Sequence, residues 1–211
     1  FMTTLVVIVF AIWATTIEPN LTIVLGSRRE DLSIKSLGAI KRILESYVPY
    51  TDKYGRRKPE SKDTDLRLAW ASSGIIVADR TDHRIKERTI EVVGVKSLDP
   101  GYHFDMGLWD DPHGDDTPEE IQSTWEAMQL YIPISHPWGI MAVTMTVWDD
   151  FDVPARMELE WSQDLAEPVL FQPAITQDWK TVLMPELYTL EKLDFYKRTM
   201  GLRAFDWRFV A

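Results

Sequence analysis

With 211 residues, 45% of them hydrophobic and 27% charged, the chain can bury a substantial core, which excludes a wholly disordered polypeptide and suits one large domain or one domain with appendages. The formal net charge of -10 argues against a free-standing nucleic-acid binder, because such a protein needs Lys and Arg to neutralise phosphates. Cys is absent, so a disulfide framework, thiolate chemistry and Cys-based metal sites are excluded.

Phe1 to Ile17 carry no charge. The run is short for a membrane crossing, which takes roughly 20 apolar residues. It is also rich in β-branched side chains, which favour strands. Three readings stay open: a buried strand or strand pair, a single-pass anchor, and a pilin-like helix. No Lys or Arg flanks the run before Arg28, so a positive-inside signal is missing nearby and a signal peptide is not expected. Asn20-Leu21-Thr22 matches a glycosylation acceptor. Thr22 to Leu25 reads as a short strand ended by Gly26-Ser27.

Arg29 to Tyr47 is the clearest helix. Ile34, Leu37, Ile40, Leu44 and Tyr47 recur at three- and four-residue steps. Asp31 or Ser33 is the expected cap, and Pro49 the expected stop. Thr51 to Asp63 reads as a polar loop. Its cations Lys53, Arg56, Arg57, Lys58 and Lys62 suit either solvent or an acidic partner, and Arg56, Arg57 and Lys58 are the one candidate contact for nucleic acid.

Leu66 to Val77 and Thr89 to Lys96 read as a long hairpin. Asp99 to Asp116 gathers metal-ligand residue types: His103, Asp105, Asp110, Asp111, His113, Asp115 and Asp116. The spacing fits neither an EF-hand loop nor a His-Glu-x-x-His helix, so an acidic surface loop is expected and no metal is assigned. Thr117, Pro118, Glu119 and Glu120 form a helix start, and a short helix to about Trp125 is expected.

Ala127 to Trp161 contains three runs alternating at the strand period. Met128 to Ile134, Ile140 to Trp148 and Arg156 to Trp161 are expected as half-buried antiparallel strands. Asp149, Asp150 and Asp152 then mark a turn, and His136 a loop. Beyond Ala166, Pro168, Pro173 and Pro185 break the chain into extended pieces. Leu187 to Met200 has helical spacing with Gly201 as a C-cap, and Leu202 to Val210 alternates.

No chemistry-bearing motif is present. Neither Gly-x-Ser-x-Gly, Gly-x-Gly-x-x-Gly nor Gly-x-x-x-x-Gly-Lys occurs, and His83, His103, His113 and His136 stand apart from any nucleophile motif. No catalytic, cofactor-binding or metal-binding residue is assigned, and the chain is expected not to be an enzyme.

Two segments carry a family resemblance. Ile132-Pro133-Ile134-Ser135, then Trp138-Gly139-Ile140-Met141-Ala142-Val143, then Arg156 to Trp161 resemble the last strands of picornavirus-like capsid proteins. Glu30 to Arg42 resembles the helix ahead of the barrel in insect picorna-like viruses. The resemblance implies a mainly β, α+β fold of a jelly-roll-like antiparallel β-sandwich, acting as a virion subunit through interfaces with other copies. Trp138, Trp148, Trp161, Phe205 and Trp207 would be core or interface anchors. Residues 1–27 would form an apolar N-terminal segment, 28–173 the sandwich and 174–211 a docking extension. The alternative is a single-pass membrane-anchored subunit of a membrane complex.

Overall fold

The computed structural model describes residues 3–60, 69–97, 101–114, 117–147, 151–161, 180–182, 185 and 189–200. The chain divides into two compact units, Phe1–Met145 and Thr146–Ala211.

The first unit is built on one mixed sheet, mostly parallel. Its strands are β1 (Ile23–Ser27), β2 (Gly74–Ile75), β3 (Ile90–Gly94), β4 (Phe104–Asp110) and β5 (Ser135–Thr144), in the order β2-β3-β1-β4-β5. β1 lies parallel to β3 and β4, β4 lies parallel to β5, and only β2 runs antiparallel, against β3. The expected jelly-roll-like antiparallel sandwich is therefore corrected to a mixed, mostly parallel sheet with helices packed on it.

Two helices close the parallel connections. From the β1/β4 seam, β1 leads through α2 (Glu30–Ser46) outward to β3, while β4 leads through α4 (Pro118–Ile134) outward to β5. Because parallel crossovers are right-handed, units stepping in opposite directions put their helices on opposite faces. The packing agrees. Leu37, Ile40 and Leu44 of α2 join one core with Ile23, Leu25, Ile90, Val92, Met106 and Leu108. On the alternate positions of the same strands, Trp109 packs against Tyr131 of α4 with ring centroids 4.2 Å apart. Gly26 is the register partner of Trp109, and a Cβ there would overlap the indole ring. Gly26 is thus needed for room, and the strand runs on past it to Ser27.

Residues 3–17 are helical: a π-helical segment, Thr3–Val9, continues as α1 (Phe10–Ile17). This corrects the strand reading. The β-branched Thr15 and Thr16 fit because their hydroxyls donate back to the carbonyls of Ala11 and Ile12. Val7, Ala11 and Ala14 pack into the α2 core. No helix among the described residues is long and apolar enough to cross a membrane.

The expected α2 is present. Arg29 occupies the N-cap without a side-chain cap bond, and Ser33 instead donates to Ser27 Oγ and lies 3.2 Å from Val93 O. Pro49 does not end that helix; Tyr47 breaks it in extended conformation and Pro49 opens α3 (Val48–Tyr54).

The hairpin survives as the short β2–β3 pairing, with a bridge from Trp70 to Ile75. The centre of the stretch expected as an acidic loop is β4, Phe104–Asp110, whose Phe104, Met106 and Leu108 are buried at the strand period. At Thr117 the capping box with Glu120 forms, but the helix continues past Trp125 to Ile134. Ile121, Trp125, Met128 and Tyr131 are its buried face, so the helical period prevails over the alternation from Met128, and Leu130 and Ile132 are exposed. The middle run does form a strand, β5, parallel and not antiparallel.

In the second unit, Arg156–Trp161 is helical and not a strand. Asp152 caps α5 (Val153–Arg156) by accepting from Ala155 N, and a π-helical segment, Met157–Trp161, follows. Helix α6 (Leu190–Met200) lies in the stretch expected to be helical, and its Leu193 is buried, while Leu187 and residues 201–211 lie outside the described residues. Asp149, Asp150, Trp148, Pro168, Pro173, Phe205 and Trp207 lie outside the described residues.

Candidate functional site at the carboxyl edge of the sheet

The register brings Gly94, Ser27, Asp110 and Thr144 side by side where β3, β1, β4 and β5 end. Between β1 and β4 the two crossovers diverge, which in open α/β sheets makes the crevice where ligands bind. The backbone carries the ladder further there: Arg28 N donates to Asp111 O at 3.2 Å, and Asp111 N donates to Thr144 O at 2.8 Å. Asp111 takes φ 43, the left-handed region, in which residues other than Gly concentrate at turns and functional sites.

Side chains converge on the same place. Thr144 Oγ1 donates to Asp110 Oδ1 at 3.0 Å and lies 3.2 Å from Trp109 O. A Cβ on Gly114 would overlap the Arg28 guanidinium, so the guanidinium lies against that backbone. His113 is 2% exposed; its Nδ1 lies 3.0 Å from Gly114 O, and its Nε2 is buried with no hydrogen-bond partner among the described residues. Ser27 Oγ donates to Arg29 O at 2.6 Å, which folds the β1–α2 turn tightly.

This edge thus gathers two carboxylates, two hydroxyls and a guanidinium. Among the described residues no group of three or more His, Cys, Asp or Glu is placed to hold a metal. Mg²⁺ does not need such a cage, since it is commonly held by one or two carboxylates plus substrate phosphates and water.

The residues singled out from the acidic stretch are split by the strand. Asp110, Asp111 and His113 lie at the carboxyl edge, while His103 and Asp105 lie at the amino end of β4; Asp115 and Asp116 lie outside the described residues. Of the basic residues, Arg56, Arg57 and Lys58 are engaged within the fold, and Lys62 lies outside the described residues. Arg56 and Lys58 both bond Glu45, at 2.9 and 2.7 Å. The Lys58 hydrogen bond, aided by Arg56, holds the Glu45 carboxyl below the usual range. Arg57 is buried, paired with Asp79 and reaching Thr16 O. Asn20 is bound by Thr81 N and Asp82 N through its side-chain oxygen. Arg28, Ser27 and Thr144 escaped the sequence reading. The available signal was the apolar run ending in a double acid, Gly107-Leu108-Trp109-Asp110-Asp111.

No protein-family model and no curated protein matches this chain.

Proposed function

We propose that the carboxyl edge of the β1/β4 seam binds a nucleoside polyphosphate together with Mg²⁺. The observation that carries the reading is the alignment of Asp110 with Ser27 and Thr144 at the point where the crossovers diverge. An apolar strand ending in an acid is how many nucleoside triphosphatases hold the Mg²⁺ of their substrate. Asp110 and Asp111 would take the metal, Thr144 would orient Asp110, and Arg28 would meet phosphate charge. Calorimetric titration with ATP tests this. Binding is expected in Mg²⁺, with loss in EDTA and weakening by about tenfold, or ~1.4 kcal/mol, in Asp110→Asn. Failure of the folded protein to bind, or wild-type affinity in both Asp110→Asn and Asp111→Asn, would sink the reading.

A second reading, a structural subunit of a large assembly, is favoured by one observation. Leu5, Val9, Trp13 and Ile17, at four-residue steps along the first helix, are 48%, 48%, 56% and 68% exposed. Exposed apolar stripes of this kind commonly mark contacts with another surface. Sedimentation at rising concentration tests it: larger species support assembly, and a monomer throughout removes it. The resemblance to capsid strands no longer supports this reading, because two of the three strands are helical.

A further inference from the structure

We infer that the amino end of the β4/β5 pair is a docking site for an arginine-bearing basic segment of a partner protein, centred on Trp138. The site begins with a break in register. Between β4 and β5, Phe104 pairs with Ser135 but Met106 pairs with Ile140, so β5 loops out over His136-Pro137-Trp138-Gly139. Such bulges re-aim side chains and recur beside functional sites. The loop is tightly built: a Cβ on Gly139 would lie 2.8 Å from His136 O.

Three rings stack here, two from this loop and His103 from the amino end of β4. His136 lies parallel to Trp138, with centroids 5.0 Å apart and planes at 6°, and His103 stacks with His136 at 6.0 Å. Trp138 ends the column and is 70% exposed. Its orientation is held because Nε1 donates to Asp105 Oδ1 at 3.0 Å. Asp105 is held in turn by Thr22, whose N and Oγ1 both donate to Oδ2 at 2.9 Å. His136 Nε2 stands 4.0 Å from Asp105 Oδ1. A tryptophan with its N–H already bonded offers a ligand only its π-face. Beside a carboxylate, that face favours a planar cation, and guanidinium both stacks on indole and pairs with carboxylate. Asp105 Oδ1 accepts from Trp138 and keeps acceptor capacity. The chain's net charge of -10 attracts a basic partner and repels the phosphates of a nucleic acid, which would otherwise be the competing stacking ligand.

The test follows the indole N–H resonances of the ¹⁵N-labelled protein, with the Trp138 signal identified by its loss in Trp138→Leu. A short Gly/Ser peptide carrying arginines is expected to shift that signal, and its Arg→Gln counterpart is not. Calorimetry is expected to show about two- to fivefold weaker peptide binding by Trp138→Leu, the size of an exposed cation–π contact. The inference is overturned if the peptide leaves the Trp138 signal in place, if Trp138→Leu binds as well as wild type, or if oligothymidylate shifts the signal and the peptide does not.

Discussion

Gly26→Ala is the most searching single change to this fold. The new Cβ would fall on the six-membered ring of Trp109. That ring has little freedom to yield: Trp109 is 0% exposed and packed on Tyr131 at 4.2 Å. Overpacking of this kind costs about 1–3 kcal/mol, and here the upper part of the range is expected. Trp109→Leu opens a cavity but also removes an indole N–H buried with no hydrogen-bond partner among the described residues, so its cost is set at about 2–3 kcal/mol. In the double variant the Ala methyl enters the space the indole has left. The two costs then fail to add, and the double variant is expected to be at least ~1 kcal/mol more stable than their sum. Urea unfolding of the three variants measures this through the midpoints, with slopes checked for constancy. A cost below about 0.5 kcal/mol for Gly26→Ala, or strict additivity, would refute the packing argument.

Thr117→Ala removes one half of the capping box on α4 and is expected to cost about 1 kcal/mol, read as a lowered urea midpoint; Thr117→Ser should retain most of it. Burial, and then the neighbouring Glu91, pushes the Tyr102 phenol up. The folded state thus keeps a proton that the unfolded state releases near pH 10, so this contribution is intact below about pH 10 and is lost as pH rises above it. Alkaline unfolding midpoints should fall less steeply in Tyr102→Phe; an identical pH dependence would contradict this assignment. Asp110→Asn and Trp138→Leu complete the set through the binding measurements given above.

Local signals along the chain were reliable where one period had no rival. The stripe Leu37, Ile40 and Leu44 specified α2, and Thr117 with Glu120 specified the start of α4. Where a segment satisfied two periods, tertiary packing decided. Met128 to Ile134 alternates, but Met128 and Tyr131 also continue the three- and four-residue spacing from Ile121, and burial against Trp109 selects that face. The direction of the strands was not legible. β4 and β5 are half-polar at their ends, and their parallel pairing depends on α4 being long enough to return the chain. The site was illegible for the same reason. Arg28 and Asp111 become neighbours only through the β1/β4 pairing, and no local pattern announces a contact between residues so far apart.

That seam also bears on how the molecule assembles. β1 and β4 pair directly although their residues are far apart in sequence, as with Thr22 and Asp105, separated by 83 positions. Closing so long a loop is entropically late, because the whole stretch carrying α2, β2 and β3 must be spanned before β4 reaches β1. The backbone hydrogen bond from Arg28 to Asp111 spans this junction. A ligand held there would act as a clasp on the last-made joint, slowing its opening. The amides of β1 and β4 would then gain hydrogen-exchange protection together, while those of β2, on the outer edge, would remain unchanged.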